Sequence, residues 1–197
     1  MDSDLEQAVD KILSHLPPVE PATGRPALIV ISGLPGTGKS FLARQLAERL
    51  PAVIVESDFI RKTLVRKPNY SGRESAWVHR VAHVILRRQL RSGRHAIYDA
   101  TNLSEWTREK AYRIAEQAEA RLIVVRTVAP EKVIRGRLDR RSVARDPRDH
   151  SDANWDVLML LRPQEEAIQR RHYVVNTSRD KEIRRGVSKI LRAAHRD

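Results

Sequence analysis

Cysteine is absent from this 197-residue chain, which excludes disulfides, thiolate metal sites and cysteine nucleophiles together. Long apolar runs are absent as well. No stretch approaches the roughly 20 residues that cross a bilayer, and no signal-peptide pattern opens the sequence. No internal repeat is visible. These absences make a cytoplasmic protein with no membrane partner the expectation.

What remains is of a size for one α/β domain with a small appendage, and its hydrophobic fraction of 41% suits a soluble chain. Charge is plentiful and of mostly one sign, with a net of +12. Residues 1–24 run against it, with Asp2, Asp4, Glu6, Asp10 and Glu20 facing Lys11 alone, so that segment carries −4 and the rest +16. Such a field attracts polyanions, whether a nucleotide, RNA or DNA, without separating them.

The strongest local signal is Gly33-Leu34-Pro35-Gly36-Thr37-Gly38-Lys39-Ser40. It follows the apolar run 27–31 and precedes a helical pattern over 39–50, the strand–turn–helix setting that a G-x-x-x-x-G-K-S phosphate loop requires. Its glycines let backbone N–H groups turn toward an anion, and the helix N-terminus adds its field. Lys39 would reach the β and γ phosphates of a nucleoside triphosphate, and Ser40 would ligate Mg²⁺.

Around that loop the pattern alternates. Leu5, Val9, Ile12, Leu13 and Leu16 recur at helical spacing behind Asp2 or Ser3 as N-cap, and a linker with four prolines over 17–26 follows. We read this as an amphipathic flap packed on the domain. Short apolar strands are expected at 27–32, 52–55, 96–98, 122–125 and 173–175. Helices are expected at 39–50, 74–92, 104–119, 130–141, from Ser151 or Asp152 through Leu161, and at 181–194. Five strands alternating with helices predict a three-layer α/β sandwich on a parallel five-stranded sheet, with right-handed crossovers.

Groups just past strand ends face the ligand crevice of such a sheet. Asp58 stands there after the second strand, placed to orient an acceptor hydroxyl and take its proton; Glu56 competes for that role, and helix capping is the plain alternative for Asp58. Asp99 ends the third strand and is expected on the Mg²⁺ side, with Thr101 and Asn102 near the acceptor or in a turn. Arg61, three residues after Asp58, would hold an anionic acceptor group. Segment 126–148 carries eight basic residues against three acids. Arg137 and Arg141, four apart there, share a helix face and predict a lid over the phosphates. His79 and His83 are also four apart but lack a third ligand for zinc, and are expected to flank an apolar stripe.

Taken together, GLPGTGKS, ESDFIRK, YDATN, IRGRLDRR and SDANWDV resemble the P-loop kinase family that includes polynucleotide 5′-hydroxyl kinases and gluconate kinases. The resemblance covers most of residues 27–178. It implies a P-loop kinase domain over 27–197 with a lid at about 137–150, after an N-terminal helix and linker at 1–26. It implies ATP and Mg²⁺ as cofactors and transfer of the γ-phosphoryl group to a hydroxyl. The nucleic-acid 5′-OH is the most concrete acceptor, and a sugar, nucleoside or antibiotic hydroxyl is the alternative. A nucleotide-dependent binding protein or nucleic-acid-stimulated ATPase is the third reading. By the same resemblance Asp58 is the general base, Arg61 contacts an acceptor phosphate, Asp99 and Thr101 lie on the metal and acceptor side, and Arg137 and Arg141 engage the nucleotide phosphates. The oligomeric state stays open.

Overall fold

The computed structural model describes residues 3–143 and 150–195. Five strands form one sheet: β1 (Ala27–Ser32), β2 (Ala52–Glu56), β3 (His95–Asp99), β4 (Arg121–Val128) and β5 (His172–Asn176). Their order is β2-β3-β1-β4-β5, and every pairing is parallel. The helices are α1 (Ser3–Leu13), α2 (Lys39–Ala47), α3 (Ser57–Leu64), α4 (Gly72–Arg91), α5 (Glu105–Gln117), α6 (Glu131–Val143), α7 (Trp155–Leu161) and α8 (Asp180–Ala194), with a 3-10 turn at Arg162–Gln164. This is the expected three-layer α/β architecture of a P-loop kinase-type fold. Among the described residues, no helix is long and apolar enough to cross a membrane.

Strand alternation builds two cores from one sheet. Leu28 and Val30 of β1 join Val53, Val55 and Tyr98 against α1, α4 and α5. Ile29 and Ile31 point the other way, with Ile97, Val125 and Val175 against α2 and α8. Both faces are covered, so the strands read as continuous apolar runs and all six residues of β1 are buried. A third, small cluster of Ile134, Leu138 and Leu158 joins α6 to α7.

Several boundaries move, each for a local reason. Residues 57–64 form a helix of their own, α3, starting where β2 ends, with Glu56 as N-cap and Asp58 inside the first turn. Helix α4 starts early because the Ser71 side chain accepts from the Glu74 N–H. Strand β4 extends to Val128 because it has a partner on each side, β1 and β5. Helix α7 starts late: Asn154 caps it, while Asp152 instead accepts from Lys62 Nζ at 2.7 Å and Tyr70 Oη at 2.8 Å.

Helix α1 packs Leu5, Ala8, Val9 and Ile12 into the first core, and Arg88 of α4 pairs with its Glu6 and with Asp10. The candidate cap Asp2 lies outside the described residues. From α1 the chain runs back as a strap, held where Arg94 Nε donates to Val19 O (2.6 Å) and Ala22 N to Gly93 O (2.9 Å).

Candidate active site

Residues 33–40 turn between β1 and α2. Gly36 and Gly38 have φ of 77° and 86°, left-handed values that favour glycine. Space requires glycine there too: a Cβ on Gly36 would sit 2.9 Å from Ile134 Cγ2, and one on Gly38 2.8 Å from Thr177 Oγ1. Gly38 is the N-cap of α2 and no side chain caps it, so the first-turn N–H groups are left for an anion. Buried Leu34 and Pro35 seat the turn. Thr37 Oγ1 donates to Leu34 O at 2.7 Å and shares a 2.8 Å hydrogen bond with Thr127. On its other side Thr177 Oγ1 donates to Thr37 O at 2.7 Å.

Lys39 Nζ donates to Leu34 O at 3.2 Å, curled back over the loop it serves. Burial pulls its pKa down, and Asp99, Asp58 and Glu56 push it back up. Three carboxylates and Arg141 thus act electrostatically on the lysine.

Asp99 is 2% exposed at the end of β3, directly beside β1 because those strands pair. Burial raises its pKa, and Lys39 and a hydrogen bond from Ser40 work against that rise. Its Oδ2 is buried with no hydrogen-bond partner. An orphaned carboxylate oxygen against a serine hydroxyl at a phosphate loop fits Mg²⁺, which takes one or two protein oxygens and fills its octahedron with water and phosphate. No larger cluster of metal-ligating side chains exists among the described residues. That includes His79 and His83: His79 Nδ1 lies 2.5 Å from Tyr98 Oη, and both rings contact Tyr98 edge-on.

Asp58 projects from the first turn of α3 and acts electrostatically on Lys39, Asp99 and Glu56. Glu56 precedes it at the end of β2. Burial, with Asp99 second, pushes the Glu56 carboxyl up to about 7, against a hydrogen bond from His150 at 3.0 Å.

The other anticipated residues take structural partners. Asn102, at φ 46°, donates from Nδ2 to Ile31 O at 2.8 Å and accepts through its carbonyl from Ser32 Oγ at 2.9 Å. Thr101 O receives the Gly33 N–H at 3.0 Å. Both therefore hold the loop after β3 against β1. Arg61 is 6% exposed; it pairs with Glu74, donates to Ser75 Oγ at 3.3 Å and lies over the Tyr70 ring at 4.6 Å. Arg137 and Arg141 share a face but divide its work. Arg137 donates to Gly36 O at 3.0 Å, Thr177 Oγ1 at 2.8 Å and Thr177 O at 2.7 Å, pinning the phosphate loop to the end of β5. Arg141 acts electrostatically on Lys39. Arg145, Arg148 and the centre of the anticipated lid lie outside the described residues.

One residue was not singled out beforehand. Arg108 of α5 is 0% exposed, pairs with Glu105 at 2.7 Å and donates to the carbonyls of Asn102, Leu103, Glu166 and Ala167 at 2.6–3.0 Å. It ties the loop after β3 to the crossing segment at 166–167. The available signal was its position four residues after the Ser104 cap, on the side of α5 that carries Ala111 and Ala115 inward.

A helix that begins uncapped over a half-buried lysine at the end of a parallel sheet, with a carboxylate on the neighbouring strand, defines a P-loop nucleoside-triphosphate-binding protein. The chain belongs to the AAA domain family, whose model matches residues 28–167. No curated protein matches it. Among solved structures it is similar to Chaetomium thermophilum Kti12 in complex with ADP-AlF3, at 20% identity and a TM-score of 0.68, covering 86% of this chain and 100% of that one. A gluconokinase from Sinorhizobium meliloti 1021 is 21% identical with a TM-score of 0.58, covering 86% and 94%. The APS kinase CysC of Mycobacterium tuberculosis, in complex with AMPPNP and APS, is 15% identical with a TM-score of 0.63, covering 88% and 98%. At these identities the likeness is one of fold.

Proposed function

We propose that the protein is a kinase that transfers the γ-phosphoryl group of ATP to a hydroxyl of a small molecule. The observation that carries this reading is Asp58, a carboxylate in the first turn of α3, just past the end of β2, which acts electrostatically on both Lys39 and Asp99. A switch protein that only binds nucleotide has no use for a carboxylate there; acceptor chemistry does.

In the proposed reaction the nucleotide phosphates rest on the open N–H groups of α2 and on Lys39. Arg141 adds positive charge over them, and Arg137 keeps the loop in shape. Ser40 and Asp99 would hold Mg²⁺, which when bound offsets phosphate charge. Asp58 orients the acceptor hydroxyl and takes its proton as the new oxygen–phosphorus bond forms. The bridging β–γ bond breaks, and ADP leaves with the bridging oxygen.

A small acceptor is favoured over a nucleic-acid 5′-OH. The likeness of fold to a gluconokinase and an APS kinase supports it. Arg61, the candidate for holding a phosphate beside a 5′ end, is engaged by Glu74 and Tyr70. The polymer reading keeps the net charge as its support.

Labelled ATP offered with a panel of small hydroxyl compounds and 5′-OH oligonucleotides tests the proposal. Labelled small-molecule product is expected, and Asp58→Asn should lower its rate by about 10²–10⁴-fold. Phosphorylated oligonucleotide alone would restore the polymer reading. ATP hydrolysis with no phosphorylated product would leave an ATPase.

A further inference from the structure

The family match starts at residue 28, so α1 and the strap lie outside it. The strap nevertheless reaches the site. Strand β2 is an edge of the sheet, and residues 15–20 line, together with it, a cleft of about 730 Å³ that opens to solvent. That is the size of a small-molecule chamber. Leu16 and Val19 of the strap line it, with Ala47 of α2, Ile54 of β2 and Phe59 of α3 opposite. Its polar end is formed by Ser40, Glu56 and Asp99, the place where the Mg²⁺ and γ-phosphate groups converge. Arg44, one turn along α2 from Ser40, also lines it, and its charge acts on Asp99.

We propose that the strap and the edge of β2 form the acceptor chamber of this protein, and that the acceptor is a small compound with a hydroxyl, an apolar body and one carboxylate. The inference rests on the kinase reading above and names its substrate class. The hydroxyl lies at the Glu56–Asp99 end, the body lies among Leu16, Val19, Ala47 and Ile54, and the carboxylate pairs with Arg44. Polymers are disfavoured by the walls. Besides two histidines, Arg44 is the one cation among the described residues lining the chamber, set against Glu20, Glu56 and Asp99, so a chain of phosphates would meet more repulsion than attraction. Sugars are disfavoured because an apolar wall leaves their hydroxyls without partners. Asp58, which takes the acceptor proton in the step written above, is not itself a lining residue and stands in sequence between Glu56 and Phe59, which are.

The strap also explains its own fastenings. Lys11 Nζ donates to Thr63 O at 2.9 Å, linking α1 to α3. The Val19 and Gly93 hydrogen bonds then fix the segment after the prolines. A wall that sets substrate shape must be held in this way.

The test uses the full chain with MgATP and three probes: 4-(hydroxymethyl)benzoate, glucose and a 5′-OH oligonucleotide. Transfer to the benzoate is expected. Filling the chamber by Ala47→Trp, or from the strap side by Val19→Trp, should lower kcat/KM for it by at least about tenfold, with AMPPNP binding and Tm reporting that the fold persists. Arg44→Met should raise KM for the benzoate and leave that for uncharged benzyl alcohol. Transfer confined to glucose or oligonucleotide, or benzoate kinetics indifferent to all three variants, would overturn the proposal. If nothing is phosphorylated, the kinase reading fails by itself, and saturation-transfer NMR then reads the chamber directly. Benzoate binding removed by Ala47→Trp and Val19→Trp upholds the chamber, and binding that is absent or survives both overturns it.

Discussion

Glu56 and Asp99 are register partners on adjacent parallel strands, β2 and β3, so two carboxylates leave the sheet side by side. Burial raises both, and the charge of Asp99 adds to the rise at Glu56, which reaches about 7. Folded Glu56 thus keeps its proton to about pH 7, whereas in the unfolded chain it titrates near the ordinary glutamate value of 4.5. Between these limits the folded state binds more protons, so stability falls as pH rises, and the full loss persists above that window. Glu56→Gln should flatten the Tm-against-pH curve of the protein in EDTA over this range and raise Tm at pH 8. A slope equal to that of the wild type would refute the pairing.

The two α4 histidines act with the opposite sign. Burial is the first cause in each, holding His79 down to about 4 and His83 to about 3, where the charge of His79 contributes next. Both rings are neutral when folded, while unfolded histidine is protonated below about 6.5. Their contribution is therefore complete above that pH and is lost as pH falls toward the folded values. Ring proton shifts of both should stay flat by NMR from pH 8 to pH 5. Titration of either near the ordinary histidine value of 6.5 would contradict the burial.

Gly38→Ala should remove nucleotide binding. The new Cβ would have to stand 2.8 Å from Thr177 Oγ1, which donates to Thr37 O and accepts from Arg137. Left-handed backbone at a non-glycine residue adds about 1–2 kcal/mol. Calorimetric titration with AMPPNP checks the first effect and urea denaturation the second.

Arg108→Met should destabilise by about 3 kcal/mol, the low end for a broken buried pair because Glu105 retains some solvent contact. Four carbonyls lose a donor at the same time. A urea midpoint unchanged at constant m-value would show that water replaces the guanidinium.

Legibility of the site followed the range of the physics. The turn at 33–40 was readable because its glycines, its lysine and the helix that follows are neighbours in sequence, and left-handed backbone leaves a compositional mark. The positions of Asp58 and Asp99 past or at strand ends were readable, since short apolar runs mark where β2 and β3 stop. Arg61, Arg108 and Arg137 were not readable in the same way. A solvated arginine and a buried one look alike on a helix, and only a distant partner distinguishes them: Glu74 for Arg61, the carbonyls at 166–167 for Arg108, Thr177 for Arg137.

The sequence by itself determined the alternating element order, the phosphate loop and the acidic helix ahead of it, because propensity, periodicity and turn chemistry are local. Strand order, the contact between Glu56 and Asp99, and the return of the strap along β2 were decided only by tertiary structure. They depend on which apolar faces find each other when the sheet assembles, and the chamber beside Ala47 and Ile54 exists only once residues 15–20 have folded back against an edge strand some 35 residues further on.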